Sequence, residues 1–180
     1  MIYAAFLRSV NVGGRLAPSA TLKALFERAG FSGVKTLLAS GNVRFETPET
    51  GRDKVRAAIE NALRDGLGFE VGVQLRTLDE LRGMIDGQPF RGIEVTPRTR
   101  LYVSFVSGTP KGDLPVPYSS GDGELRVLKF TGSEIYGVVL LSPTTGTTDY
   151  MALVEKEFGK DLTTRNWNTV LKLVQAAGGN

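Results

Sequence analysis

The sequence contains neither cysteine nor histidine among its 180 residues. The absence of cysteine excludes disulfides, thiolate nucleophiles and cysteine-ligated metal sites. The absence of histidine removes the side chain whose unperturbed pKa lies nearest neutrality. Ser-His-Asp triads, imidazole general bases and nearly all zinc sites are excluded with it. Any catalysis by this chain must therefore use carboxylates, lysine, tyrosine, hydroxyl groups or a cofactor.

Long apolar runs are also missing. No run approaches the roughly 20 residues that span a bilayer, and a hydrophobic content of 41% with 23% charged residues is typical of a soluble globular protein. The first 14 residues lack a basic segment ahead of their short apolar run, which favours a strand over a signal peptide. We therefore expect a cytoplasmic protein without membrane contact or a bound metal. Composition leaves cofactors and oligomeric state open.

The net charge of +3 is unevenly distributed. Residues 1–66 hold ten Lys/Arg and six Asp/Glu, whereas residues 67–180 hold twelve and thirteen. The basic first part is compatible with an anionic partner, either a phosphate-bearing small molecule or a nucleic acid. It lacks the clustered basic stripe of a dedicated nucleic-acid binder, and scattered surface charge is the alternative.

The periodicity of the first 78 residues predicts the order β-α-β-β-α-β, which is the ferredoxin-like pattern. Ser19 is the candidate N-cap of the first helix, Gly30 its stop, and Gly41 the turn of a hairpin. The predicted elements are a strand at 2–8, a helix at 19–29, strands at 34–40 and 42–47, a helix at 51–66 and a strand at 70–77.

The remainder predicts a second, smaller α+β half. We expect two subdomains, 1–78 and 79–180, packed as one compact unit. The segment 108–123 is rich in Pro, Gly and Ser and predicts a surface connection. The predicted elements are a helix at 77–87, strands near 100–107, 124–130 and 134–141, and two closing helices near 149–158 and 165–177.

The stretch TTRNWNTVLKL, residues 163–173, predicts the start of the last helix, with Thr163 or Thr164 as N-cap. In that frame Trp167 belongs to the apolar stripe that packs on the core. Asn166 lies at the edge of the same stripe. Its amide needs hydrogen-bond partners there, because an unpaired buried amide costs about 1–3 kcal/mol.

Arg165 would then stand in the first turn of this helix. A cation is unfavourable there by about 0.3–1 kcal/mol, since the helix presents unpaired N–H groups and a positive dipole end. We therefore expect an anion beside it, either a protein carboxylate such as Asp161 or a bound phosphate or carboxylate. Helix N–H groups and a guanidinium together would clamp an oxyanion.

The loop RSVNVGGR, residues 8–15, has a similar character. Arg8 ends the first strand, Asn11 is a turn former, and the Gly13-Gly14 pair allows backbone conformations closed to other residues. Backbone N–H groups could converge here in an anion-binding nest. The loop matches neither a P-loop nor a dinucleotide-binding turn, so a simple turn between strand and helix is the alternative.

The Ser40-Gly41-Asn42 turn is by itself only a hairpin bend. If it meets the other two polar stretches, the group offers many donors and few acceptors, a composition suited to an anionic ligand. The side chains of that group are Arg8, Asn11, Ser40, Asn42, Arg165 and Asn166.

Three segments, LRSVNVGG, LLASGNVRFET and TTRNWNTVLKL, together resemble a bacterial family called domain of unknown function 1697. Its members typically show Leu-Leu-Arg-Gly-Ile-Asn-Val-Gly-Gly, Ser-Gly-Asn-Val-Val-Phe and Thr-Thr-Arg-Asn-Trp-Asn-Thr. The resemblance implies a compact α+β fold. It also implies a shared polar set at Arg8, Asn11, Gly13, Gly14, Ser40, Gly41, Asn42, Arg165, Asn166, Trp167, Asn168 and Thr169.

The sequence departs from this family at two places. Ser9 stands where glycine is usual, and Thr147-Thr148-Asp149 replaces a Ser-Lys pair. If that lysine holds an anion elsewhere in the family, Asp149 weakens the idea or changes the ligand.

Three hypotheses about function follow. The first is a binding protein whose anion site is formed by the three polar stretches. The second is a histidine-free enzyme that uses Asp149, Asp161 or Tyr150 beside a metal or cofactor. The third is a purely structural role, in which each polar residue ties loops together across the seam between the two halves.

Overall fold

The computed structural model describes residues 1–38, 41–107 and 112–178. Within these ranges the chain forms two antiparallel sheets and five helices, which confirms the mixed α+β class. It divides into two compact units: unit 1 comprises Met1–Gly83 and the chain from Lys172 onward, and unit 2 comprises Met84–Leu171. The boundary predicted between residues 78 and 79 stays a prediction.

Unit 1 is built on a four-stranded sheet of order β2-β3-β1-β4, in which every neighbouring pair is antiparallel. The β2–β3 pairing confirms the hairpin predicted around Gly41. The elements are β1 (Ile2–Leu7), α1 (Ser19–Arg28), β2 (Ser32–Leu37), β3 (Asn42–Glu46), α2 (Arg52–Leu67), β4 (Val73–Thr77) and α3 (Leu78–Asp86).

The core of unit 1 forms because apolar residues alternate along the strands and repeat at helical spacing on α1 and α2. Phe45 is fully buried at its centre, with its ring 4.7 Å from that of Phe31 and 5.4 Å from that of Phe26. The strands contribute Tyr3, Ala5, Leu7, Val43, Phe45, Val73 and Leu75, and the helices contribute Leu22, Leu25, Phe26, Val55, Ile59 and Leu63.

The two ends of α1 test the predicted caps. Gly30 has a φ of +91° and donates to the Glu27 carbonyl, while the Phe31 N–H reaches the Phe26 carbonyl, so the helix ends in a Schellman motif as glycine there predicts. The predicted N-cap at Ser19 was wrong. Pro18 precedes the helix without a side-chain cap, and its carbonyl accepts the first helical bond from Leu22.

Unit 2 is built on a five-stranded antiparallel sheet of order β6-β7-β8-β5-β9. The last helix begins in this unit and continues into unit 1 from Lys172. The elements are β5 (Thr99–Val106), β6 (Tyr118–Ser119), β7 (Leu125–Phe130), β8 (Glu134–Leu140), α4 (Thr147–Phe158), β9 (Leu162–Asn166) and α5 (Trp167–Gly178).

The strands β6 and β9 were absent from the prediction. The short β6 lies inside the segment 108–123, which was predicted to be a surface connection, and residues 108–111 of that segment lie outside the described part of the chain. Two residues of β-sheet leave almost no periodic signal in a sequence. The strand β9 matters more, because it holds part of the predicted site.

The core of unit 2 lies between its sheet and α4. The phenol ring of Tyr150 is fully buried and stacks on Tyr102, with ring centroids 5.4 Å apart. Gly137 on β8 faces this ring so closely that a Cβ atom there would overlap it. The helix also contributes Val154 and Phe158 to the core.

Candidate functional site

The third polar stretch does not start a helix where the sequence predicts. Residues Leu162–Asn166 form β9, an edge strand of the unit 2 sheet, and Arg165 pairs with Val103 of β5. The helix α5 begins only at Trp167. The prediction that Thr163 or Thr164 caps the helix was wrong, because these β-branched residues pair with β5.

Arg165 therefore lies on a strand and not beside a helix dipole. Its Nη1 donates to the Thr164 carbonyl at 3.0 Å, and its side chain is partly buried. Burial lowers the pKa of Arg165 to about 10, so the guanidinium stays charged at neutral pH. The argument that a helix dipole demands an anion here was wrong. What requires compensation is instead the desolvation of a cation inside the protein.

Asn166 ends β9 and caps the helix that follows. Its side-chain Oδ1 accepts a hydrogen bond from the backbone N–H of Asn168 at 3.0 Å. This satisfies one of the unpaired donors of the first helical turn, which is the usual task of an N-cap asparagine. The structure thus supplies the partner that the amide of Asn166 was expected to need.

We expect Asn166→Ala to lower the free energy of unfolding by about 1 kcal/mol, because it removes this cap. Asn168→Ala is the matched control within the same motif. The Asn168 side chain is exposed in the helix, where alanine is favoured by up to about 0.7 kcal/mol, so this change should be neutral or slightly stabilising. Urea unfolding followed by circular dichroism measures both, and equal effects would contradict the capping role.

Trp167 is a core residue, as its position on the apolar stripe predicts. Its side chain is 8% exposed, and its ring lies 5.3 Å from Phe90 and 6.1 Å from Tyr136. These three aromatic rings meet edge to face, the arrangement that their quadrupoles favour. Thr169 is buried as well.

The loop of residues 8–15 follows β1 directly. The Arg15 N–H donates to the Val12 carbonyl at 3.0 Å, which closes a β-turn whose central residues Gly13 and Gly14 have φ of +57° and +82°. Two successive positive φ angles are what a type I′ turn requires, and glycine adopts them without strain. Asn11 also has a positive φ, of 58°.

The side chain of Asn11 ties this loop to the start of the following segment. Its Oδ1 accepts from the Ala17 N–H at 2.9 Å, and its Nδ2 reaches the Ala17 carbonyl at 3.4 Å. Ser9 has a φ of +60°, a backbone conformation that glycine adopts more readily than other residues, which fits the glycine that the family resemblance implies there.

The tip of the loop leaves backbone donors available. Within the described residues, no hydrogen bond uses the N–H of Val12, Gly13 or Gly14, and all three residues are exposed. Arg15 flanks them, with its guanidinium 5.7 Å from the centroid of the Phe69 ring. Neither Val12 nor Arg15 was among the predicted ligand residues. Their position on either side of the Gly-Gly pair was the signal that could have included them.

The second polar stretch meets the first within unit 1. The Leu7 N–H donates to the Gly41 carbonyl at 2.8 Å, and the side chain of Val10 lies directly against the Cα of Gly41. Asn42 is 1% exposed and its Nδ2 donates to the Leu37 carbonyl at 3.2 Å. Ser40 lies outside the described residues. The third stretch, Thr163–Thr169, belongs to unit 2.

The three candidate catalytic residues, Asp149, Tyr150 and Asp161, lie in different local environments. Asp149 Oδ2 accepts the Gly146 N–H at 2.7 Å and so caps the start of α4. The hydroxyl of Tyr150 is buried, which raises its pKa, so it stays protonated near neutral pH and is not available as a general base. The Asp161 carbonyl accepts the Ser107 N–H at 3.0 Å. Among the described residues, no group of three carboxylates is placed to hold a metal ion.

Several buried and half-buried hydroxyls of unit 2 were not predicted from the sequence. Ser104 and Thr164 share a hydrogen bond of 2.7 Å across β5 and β9, and Tyr102 shares one of 2.8 Å with Thr147. Isolated serine and threonine residues carry no sequence signal of burial, because they are mostly exposed in proteins.

The fold and these contacts define a class of α+β protein with two compact units. In its first unit, an exposed loop with a Gly-Gly turn follows the first strand and lies beside the β2–β3 hairpin. The chain belongs to the family described as "Protein of unknown function (DUF1697)", whose family model matches residues 1–136. This confirms the family that the polar motifs indicate; the first two motifs lie inside the matched range and the third, at 163–173, lies beyond it.

A solved structure shares the fold. The conserved bacterial protein SP0830 from Streptococcus pneumoniae matches with a TM-score of 0.75 over 99% of this chain and 98% of its own, at 18% sequence identity. No curated protein matches the chain significantly. In the described part of the chain, no helix combines the length and apolar character needed to cross a bilayer.

Proposed function

We propose that this chain is a binding protein for a phosphate-bearing anion, and that the loop of residues 8–15 in unit 1 is its binding element. The observation that carries the proposal is the run of three exposed N–H groups at Val12, Gly13 and Gly14, with no protein acceptor among the described residues. Successive free N–H groups in a turn form a concave donor surface for oxyanions.

The charge around the loop supports an anionic ligand. Arg8 and Arg15 stand at its two ends, and a guanidinium matches the geometry of phosphate oxygens. Glycines 13 and 14 leave open space on their Cβ side, so a ligand can approach the backbone closely. Nucleotides and nucleic-acid ends present the same phosphate chemistry. They differ in size, so binding of a small and a large probe distinguishes the two ligand classes.

The wider set of site residues stays a prediction. Asn11 and Asn42 already use side-chain amide atoms inside unit 1, which favours a positioning role for both. In unit 2, Arg165, Asn166, Asn168 and Thr169 remain predicted ligand residues. We also infer a ferredoxin-like topology for unit 1, supported by its element order, and the cytoplasmic location remains part of the proposal.

A matched pair of variants tests the loop. Arg15→Gln should weaken the binding of ATP or inorganic phosphate about fivefold, because it removes one exposed charge-assisted contact. Glutamine keeps much of the stem that lies on Phe69. Arg91→Gln removes an exposed arginine of unit 2 and should leave binding unchanged. Isothermal titration calorimetry gives both affinities.

The same titrations separate the ligand classes. A short single-stranded oligonucleotide should bind more weakly as salt rises from about 50 to about 200 mM, since phosphate contacts release counterions. A nucleotide-specific site would prefer ATP to the oligonucleotide at both salt concentrations. If wild type binds none of the three probes, or if Arg15→Gln and Arg91→Gln behave alike, the proposed loop site is wrong.

A further inference from the structure

We propose that unit 2 holds a second binding site, a pocket of about 400 Å³ that takes a small amphipathic carboxylate with a hydrocarbon body. This volume falls within the range of about 300–1,000 Å³ typical of small-ligand pockets. The apolar part of its lining consists of Leu114, Val116, Leu128, Phe130 and Phe158.

The pocket lies at the sheet edge, where the short strand β6 ends and the pairing of β7 with β8 shifts register. The two residues of β6 pair with Arg126 and Val127, and the pairing of β7 with β8 shifts register between Val127 and Lys129. The pocket lies beside the next residues of β7, at 128–130. A register shift bends a strand and alters its twist, which opens space next to it.

One wall of the pocket is held against the end of α4. The Gly112 N–H donates to the Glu157 carbonyl at 2.6 Å, and a Cβ on Gly112 would lie 2.9 Å from the Glu157 Cα. Only glycine permits so close an approach of backbone to helix. The rings of Phe130 and Phe158, whose centroids are 5.2 Å apart, also line the pocket.

The lining specifies an apolar ligand body. Four of its apolar side chains are only half-buried, so a hydrocarbon in the pocket would remove their remaining surface from water. Half-buried leucine, valine and phenylalanine gathered around one concavity differ from scattered exposed apolar residues, which have no special meaning.

The charge specifies the head group. Lys129 lines the pocket and is exposed, and no ion pair within the described residues involves its ammonium. The neighbouring carboxylate of Glu157, by contrast, lies 3.7 Å from the ammonium of Lys156. An anionic head group next to an apolar body would therefore satisfy both parts of the lining.

Octanoate is the probe that tests this site, with octanol for comparison. Wild type should bind octanoate with a dissociation constant of roughly 1 mM or tighter, as expected for a ligand of this size. Lys129→Met should weaken octanoate about fivefold and leave octanol unchanged, because only the charge is lost. Lys160→Met, at another exposed lysine of unit 2, is the control and should change neither.

Filling the pocket gives a second, independent readout. Leu114→Trp should weaken octanoate and octanol alike, by about tenfold, while circular dichroism verifies the fold. If that variant does not fold, Val116→Phe replaces it. Arg15→Gln should leave octanoate binding intact, which separates this site from the loop in unit 1. Absence of saturable octanoate binding to wild type, equal binding by Lys129→Met, or unchanged binding after the pocket is filled would each overturn the proposal.

Discussion

Replacement of Gly137 by alanine is expected to lower the free energy of unfolding by about 3 kcal/mol. The added methyl group would overlap the phenol ring of Tyr150, and overpacking a core typically costs about 1–3 kcal/mol and sometimes more. Gly137 lies in β8, where it pairs with Tyr102 on one side and Val127 on the other. Its backbone therefore has little freedom to retreat from the ring.

The ring of Tyr150 has equally little freedom. It is fully buried, it stacks on Tyr102 at 5.4 Å, and its helix places Val154 and Phe158 in the same core. Close-packed protein interiors relax only partly when a substitution adds volume. Gly137 is required because of this contact and not because of its backbone conformation.

Gly83→Ala is the matched control for this prediction. Gly83 lies inside α3, and a Cβ there would meet no atom within 4 Å. Alanine in a helix interior is favoured over glycine by about 0.5–1 kcal/mol, so this variant should be slightly more stable than wild type. Urea unfolding of both variants decides the matter, and a rescue of Gly137→Ala by Tyr150→Leu would identify the ring as the cause. A Gly137→Ala protein as stable as wild type would refute the contact.

Much of the fold could be predicted because its signals are local. The apolar stripe of α1, the glycine that ends it and the hairpin around Gly41 all lie within a few residues of the elements they define. The strand β9 could not be predicted in this way. Thr164 is held by Ser104, 60 residues earlier in the chain, and the helical periodicity that starts at Trp167 hides the strand before it.

In the candidate site, too, local features could be predicted from the sequence and long-range contacts could not. The sequence indicated that the loop of residues 8–15 is unusual, since the loop after the first strand contains an asparagine and, two residues further on, a Gly-Gly pair. It could not indicate that the side chain of Asn11 is used by Ala17 while the N–H groups of Val12 and its two glycine neighbours stay available. Such hydrogen-bond partners depend on how the loop folds back, and residue spacing does not encode that.

Tyr150 carries the second large effect, which appears at alkaline pH. Burial raises the pKa of its hydroxyl above the ordinary value of 10; Ser104 acts in the opposite direction, and Tyr102 raises it further. The folded protein therefore keeps this proton in a pH range where the unfolded chain has lost it. In that range the free energy of unfolding falls by about 1.4 kcal/mol for each pH unit, because the native state binds one more proton.

The sign follows from the direction of the shift. The contribution of Tyr150 to stability is fully present below pH 10 and is lost as the pH rises toward its raised folded pKa. Tyr150→Phe removes the titrating group, so its stability should decline less steeply between about pH 10 and about pH 11. The pKa of Arg165 shifts in the opposite direction, to about 10, but this residue is present in both proteins, so its effect cancels in the comparison.

The same variant makes a prediction at neutral pH, where no titration is involved. The Tyr150 hydroxyl lies close to that of Ser104, but Ser104 is already bonded to Thr164, and within the described residues the Tyr150 hydroxyl makes no well-formed hydrogen bond. Removing an unsatisfied buried hydroxyl should be neutral or should stabilise the protein by up to about 1 kcal/mol. Urea midpoints measured from about pH 7 to about pH 11 test both effects, with Tyr118→Phe on the two-residue strand β6 as the control. Parallel pH curves for wild type and Tyr150→Phe would show that this buried hydroxyl does not govern alkaline unfolding.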